Sequence, residues 1–369
     1  MILKNCSLKQ FKRTMQNKNI VCFGAGNYLR EFIRQCDIKN RIRFIIDNNE
    51  KLWDTFINID GQNIKILSLE NAIKQINSDD ILLITTYLET GIELYNILEN
   101  NMFFEDYIVY WAFFLIKSNE NIKESICKNN LKFKFTEEIK IPKIIHYCWF
   151  GKSPIPEEFQ KYIAGWKEKC PDFEIVKWNE SNYDISKNIF MKQAYDAKAW
   201  GFVPDYARKD IIYEYGGIYL DTDVEVIKNL EDLLYQDGFC GFENFEKINF
   251  GLGFGAKKHL PIIKDLRDMY NNMEFNLNKR DMITGPICET MGLKKYGLKT
   301  DGNYQSIDEF TIYPIDVLSG ANLYTDEKLI TQNTYTIHHY AGSWLEKNFQ
   351  RAKNKAKIIY QNKKRESFL

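Results

Sequence analysis

Two carboxylates, Asp221 and Asp223, stand one residue apart just beyond the apolar run Ile218-Tyr219-Leu220. Such a pair can grip a divalent cation through hard oxygen ligands, and Mg2+ or Mn2+ accepts diphosphate oxygens in the rest of its shell. In a chain this rich in Asp the spacing arises by chance roughly once or twice, so its surroundings must decide. The segment from Ala199 to Val226 reads AWGFVPDYARKDIIYEYGGIYLDTDVEV. Pro204 suits the first turn of a helix, and Asp205 favours its positive end. Ala207, Ile211 and Tyr215 form one apolar stripe, and Gly216-Gly217 ends the helix. The short strand that follows carries Asp221 and Asp223 at its carboxyl end, where ligands bind in open α/β sheets. Asp205 and Arg208 are three apart and share a helix face. An acid and a guanidinium so placed can hold sugar hydroxyls and a phosphate. The competing reading is a solvated turn with a surface ion pair.

The elements that must position these residues belong to a chain of 369 residues with 50 basic and 50 acidic side chains. That length predicts two domains. Zero net charge argues against an obligate nucleic-acid binder, and 44% hydrophobic residues argue against global disorder. Met1 to Asn19 has no apolar signal region. The most apolar window, Tyr107 to Ile116, is about half the length of a membrane span. The eight cysteines are scattered without a CxxC pair, which points to reduced thiols in a cytoplasmic protein rather than zinc or disulfides.

Strand-like and helix-like runs alternate from the NIVCFGAG segment at 19–26 onward, predicting a Rossmann-like parallel α/β domain over 1–116. Gly24-Ala25-Gly26 is half of a dinucleotide fingerprint, with Asp47 at the spacing of a ribose contact, but Leu29 holds the third glycine position. Residues 117–139 read as a linker, 140–345 as a second domain and 346–369 as a terminal helix. That tail carries eight basic and two acidic residues. Leu345, Phe349, Ala352, Ala356 and Ile359 line one face, a pattern that fits either packing or peripheral contact with an anionic membrane surface.

The run PDYARKDIIYEYGGIYLDTDV resembles the signature of glycosyltransferase family 32, the DXD-containing sugar transferases that include capsular polysaccharide enzymes. Several further motifs follow the family's order between about 140 and 345. The resemblance implies a GT-A type nucleotide-sugar-binding domain behind the Rossmann-like one. It implies that Trp149, in PKIIHYCWFG, stacks on the nucleobase, and that Thr284 and Gly285, in ITGP, lie beside the sugar. Alternation places His146 on the opposite strand face from Trp149, as a core or edge residue rather than a ligand. The motif IHHYAGSW is similar to one in which a late histidine binds the metal; by that match His339 is the candidate rather than His338, although two adjacent histidines leave both open. Ser343 and Trp344 would close over the diphosphate. The segment NFGLGFG at 249–255 precedes no helix, so it is not a phosphate loop, but its glycines suit close backbone approach to substrate.

The function implied is transfer of a sugar from a nucleotide-diphosphate sugar, a UDP-sugar being favoured, to a glycan or lipid-linked oligosaccharide hydroxyl with retained configuration. Asp205, Arg208, Asp221 and Asp223 are the catalytic set, and Asp221, Asp223 and His339 the Mn2+ or Mg2+ ligands. Trp149, Asp205, Arg208, Asp221, Thr284, Gly285, Ser343 and Trp344 would bind the donor. Alternatives are a toxin-like transferase with a protein acceptor, a non-catalytic sugar-nucleotide scaffold, and an oxidoreductase using the N-terminal glycine loop.

Overall fold

The apolar runs Ile20–Phe23 and Ile81–Ile84 are buried along their whole length, as strands covered on both faces must be. They are neighbours in a computed structural model that describes residues 1–117, 119–126, 131, 138–244, 246–278, 283–342 and 347–366. The chain divides into two units, one formed by 1–122 with 345–369 and the other by 123–344. Each has the α/β character expected from the sequence.

The strands of the first unit are β1 (Ile2–Leu3), β2 (Ile20–Phe23), β3 (Ile42–Ile46), β4 (Phe56–Ile59), β5 (Gln62–Leu67), β6 (Ile81–Ile84) and β7 (Ile108–Trp111). Their order is β1-β7-β6-β2-β3-β5-β4, parallel throughout except β4 on β5. Gly24 turns the chain out of β2 at φ 111°, and a Cβ there would lie 2.4 Å from Thr86 Cγ2. Asp47, spaced for a ribose, instead accepts the backbone N–H of Ala25 at 2.8 Å and that of Asn49 at 2.8 Å. The helix Lys347–Glu366 belongs to this unit and packs on the helix Leu88–Glu99. Ala352, Ala356 and Tyr360 are buried there, with Tyr360 edge-on to Phe114. Of the apolar stripe read in the tail, Ala352 and Ala356 pack within the unit, Phe349 and Ile359 are half-buried, and Leu345 lies outside the described residues. Among the described residues, no helix is long and apolar enough to cross a membrane.

The second unit opens with β8 (Ile144–Cys148), β9 (Glu174–Trp178), β10 (Gly217–Tyr219) and β11 (Val224–Val226). It continues with β12 (Gly238–Asn244), β13 (Lys247–Ile248), β14 (Phe254–Ala256), β15 (Gln305–Ile307), β16 (Phe310–Tyr313) and β17 (Thr336–His338). The main sheet runs β15-β16-β12-β14-β10-β8-β9, with β13 on β12. β8 is parallel to both β9 and β10, whereas β14 is antiparallel to β10 and β12. β11 and β17 form a separate antiparallel ribbon. The strand period of two sorts side chains between two cores: Ile218 and Leu220 enter one, Tyr219 the other. Asp221 therefore emerges on the side of Tyr219.

The helix Val203–Tyr215 begins with Pro204 in its first turn and ends at Gly216, as its sequence predicts. Its junction with β10 is fixed by His146, only 1% exposed on β8. Trp178 Nε1–H donates to His146 Nδ1 at 3.1 Å, so Nε2 must carry the proton, which it donates to the Gly216 carbonyl at 2.9 Å. Burial lowers this imidazole from 6.5 to about 4. Between those values the unfolded chain binds a proton that the folded chain refuses, so stability falls as pH drops through the window. Urea unfolding across pH 7 to 4 should show this slope reduced in His146→Leu. The variant should also lose about 1–3 kcal/mol at neutral pH, because it strands the Trp178 donor and the Gly216 acceptor. An unchanged slope would refute the assignment.

Candidate functional site

The site assembles where β10 ends. Tyr219 donates its hydroxyl hydrogen to Asp221 Oδ1 at 3.0 Å. Asp221 N–H donates to the Gly251 carbonyl at 3.1 Å. The Arg208 guanidinium, on the preceding helix, lies 3.2 Å from Asp205 Oδ1, 3.6 Å from Asp221 Oδ1 and 5.0 Å from the centre of the Tyr219 ring. One buried cation thus joins both carboxylates. Burial drives the Asp205 carboxyl up to about 6, against the pull of Arg208. Burial alone would lower the Arg208 pKa, but Asp221, Tyr219 and Asp205 reverse that, and the guanidinium stays charged.

Two glycines permit this convergence. A Cβ on Gly251 would stand 2.2 Å from Asp221 Oδ2, and one on Gly285 would stand 2.8 Å from Asp205 Oδ1. The backbone of the NFGLGFG segment, expected to approach substrate, packs at Gly251 against the Asp221 carboxylate. Thr284 holds the N-cap position of the helix Gly285–Lys294, and the ITGP loop meets the Asp205 carboxylate at Gly285.

Asp223 is held by three contacts from the segment around β17. Its carbonyl accepts His339 N–H at 3.0 Å, its Oδ2 accepts Ala341 N–H at 2.9 Å, and His338 Nε2 is 3.3 Å from its Oδ1. Burial would raise the Asp223 carboxyl, but His338 and the Ala341 N–H overturn this and hold it at about 2. His338 in turn is raised: its burial acts downward, and the neighbouring Asp223 carboxylate outweighs it. The Tyr340 ring meets His338 edge-on at 4.2 Å, and Tyr340 is anchored by a 2.6 Å hydrogen bond with Ser319.

One ligand atom each from Asp221, Asp223 and His338 fall within 4.8 Å of one another. Two hard oxygens and an imidazole nitrogen suit a divalent cation such as Mn2+. His339, the expected metal ligand, stands outside this group. Its Nε2 lies 2.9 Å from Glu225 Oε2, and its ring stacks on Tyr162 at 4.5 Å. Alternation along the strand separates adjacent histidines, and the register that pairs His338 with Val224 aims His338 at the carboxylates.

Trp149 follows β8, next to β10 in the sheet; its indole donates to the Ser153 carbonyl at 2.7 Å, and its ring is partly exposed. Ser343 and Trp344 lie outside the described residues. Sequence reasoning overlooked Lys209 and Glu289, which are fully buried beneath the site as an ion pair at 2.9 Å. The signal was present: Lys209 is four residues from Asp205, and Glu289 four from Gly285, each on a helix face already implicated.

Residues 156–240 match the family described as "Glycosyltransferase sugar-binding region containing DXD motif". The matched segment is similar to the sugar-binding region of DXD-containing glycosyltransferases. It spans the helix Val203–Tyr215, β10 and both aspartates of the motif. Over 159 residues the chain is 31% identical to inositol phosphoceramide mannosyltransferase 3 of Schizosaccharomyces pombe, covering 40% of this chain and 43% of that protein. It is 26% identical over 215 residues to an uncharacterized glycosyltransferase of Acanthamoeba polyphaga mimivirus, covering 55% and 84% of the two chains. The chain therefore spans less than half the length of the first relative. Among solved structures, the PaToxG glycosyltransferase aligns with TM-score 0.37 and 19% identity, over 48% of this chain and 75% of that one.

The DXD site separates the two histidines experimentally. His338→Ala should weaken Mn2+ binding about 10- to 100-fold, whereas His339→Ala should leave it near wild type. Titration of the full chain with Mn2+ reads both, and the reverse ranking would restore His339.

Proposed function

We infer that the protein is a metal-dependent glycosyltransferase that moves a sugar from a nucleotide-diphosphate sugar to an acceptor hydroxyl. The observation that carries this reading is the joint placement of Asp221, Asp223 and His338 around one point, with Arg208 bridging Asp221 to Asp205. Asp221, Asp223 and His338 would hold Mn2+ or Mg2+, which when bound supplies positive charge to the diphosphate leaving group.

The chain's own residues account for the rest. Arg208, kept charged by its two carboxylates, offers a fixed cation to developing phosphate charge. Asp205, buried with a carboxyl near 6, can accept a hydrogen bond from a sugar hydroxyl and orient the ring. The glycine backbone at 251 and 285 lets the main chain close directly on the two carboxylates. Trp149, together with Thr284 at the mouth of the ITGP loop, is proposed to bind the base and sugar. Ser343 and Trp344 keep their proposed role over the diphosphate. In the transfer, the bond from the anomeric carbon to the phosphate oxygen breaks and one to the acceptor oxygen forms. The acceptor's proton passes to the departing phosphate on the same face, which retains configuration.

A UDP-sugar is the favoured donor; a GDP-sugar stands beside it because a relative is named a mannosyltransferase. The proposed acceptor is a glycan or lipid-linked oligosaccharide of a surface polysaccharide, handled in the cytoplasm. The buried thiols of Cys22, Cys36, Cys148, Cys170, Cys240 and Cys288, none of them in a disulfide, support a reducing compartment. Peripheral membrane contact would fall to the basic face of the terminal helix, since Ala352 and Ala356 of its apolar stripe are buried.

A panel of UDP- and GDP-sugars, assayed for released nucleotide with and without Mn2+, tests the reading. Hydrolysis of at least one donor is expected to need the metal and to stop in excess chelator. Asp223→Ala should lower kcat/KM about 100-fold or more while the fold is retained. Turnover that survives both treatments would refute the metal-dependent mechanism.

A further inference from the structure

Beneath the site lies an ion pair with no access to solvent. Lys209 and Glu289 are each 0% exposed. Lys209 Nζ is 2.9 Å from Glu289 Oε1 and donates to the Asp205 carbonyl at 2.9 Å. The Phe250 and Tyr270 rings lie 5.3 and 5.0 Å from the same nitrogen. The second oxygen, Glu289 Oε2, accepts the Phe250 N–H at 2.7 Å. Desolvating two charges is costly, and apolar residues of the same size often serve stability equally well or better. Stability is therefore a poor explanation for the pair.

Its connections suggest another. Three segments meet at these two side chains: the helix Val203–Tyr215 at the Asp205 carbonyl, the turn Phe250–Leu252 at the Phe250 N–H, and the helix Gly285–Lys294 that bears Glu289. Each segment also touches the site directly. The first carries Asp205 and Arg208. The second accepts Asp221 N–H at the Gly251 carbonyl and presses the Gly251 backbone on Asp221 Oδ2. The third begins at Gly285, against Asp205 Oδ1. The pair is neutral as a unit, so it can order these segments without changing the net charge above it.

We propose that Lys209 and Glu289 are positioning residues that set the separation between the Asp205–Arg208 pair and the Asp221 carboxylate, and hence the grip on the sugar-diphosphate donor. The proposal rests on the glycosyl-transfer reading of the site. Glu289 fixes the turn that fixes Asp221, and Lys209 ties Glu289 to the helix of Asp205. An apolar pair would fill the same space but give the Phe250 N–H no acceptor.

The test compares wild type with Lys209→Met/Glu289→Met and with Glu289→Gln, which retains an acceptor for Phe250. Thermal melting, Mn2+ titration and donor-hydrolysis kinetics are measured on the full chain. The double variant should melt within about 5 °C of wild type. Its kcat/KM should fall about 100-fold, the scale of a small misplacement of reacting groups. Its Mn2+ affinity should fall about tenfold as Asp221 drifts. Glu289→Gln should lose less of both. A double variant that loses its cooperative melt would make the pair a folding element and overturn the positioning role. So would one whose kinetics and Mn2+ affinity stay within about twofold of wild type. Wild-type protein that hydrolyses no donor would count against the reaction instead, and the Mn2+ titration would still decide on the pair.

Discussion

Arg208 sits with almost no solvent contact between two carboxylates that arrive from different directions. Asp205 comes from the same helix, one turn earlier, and Asp221 from the strand that the helix leads into. A buried guanidinium must have partners, and either carboxylate alone would leave more of its five N–H donors without an acceptor. The helix Val203–Tyr215 and β10 are thereby bound into one unit through a charge as well as through packing. The Tyr219 ring under the guanidinium and its hydroxyl on Asp221 close the arrangement.

Backbone does as much here as side chains. At Gly251 and Gly285 the main chain comes so near the two carboxylates that no Cβ fits. His146 fixes the other end of the same helix, holding the Gly216 carbonyl on one nitrogen and the Trp178 indole on the other. Asp223 is secured from the β17 side, by His338 and by two backbone amides beyond it. The two aspartates of the motif thus answer to different neighbours. Asp221 belongs with Arg208, Tyr219 and Gly251, and Asp223 with β17.

Much of this was legible in the sequence because local rules and tertiary roles coincide in one short segment. Pro204 and Gly216 bracket the helix, Ile218 to Leu220 alternate between cores, and Asp205 and Arg208 share a face, all as spacing alone predicts. The choice between His338 and His339 was not legible. It depends on the register of β17 against β11, and a one-residue slip exchanges the two side chains. Lys209 and Glu289 are 80 residues apart, and only the fold brings them together. Asp47 illustrates the reverse case: the spacing suggested a ligand contact, while the carboxylate is engaged by the loop's own backbone.

The terminal helix gives the first unit an order of assembly. Residues 1–122 form its sheet, yet the helix that covers Leu88–Glu99 and meets Phe114 lies beyond residue 345. On the ribosome, chain emerges from the N-terminus and domains fold as their sequence becomes available. All of residues 123–344 must leave before Ala352, Ala356 and Tyr360 can take their places. The first unit to begin folding is thus the last to finish, and its apolar surface under that helix stays open throughout synthesis of the second.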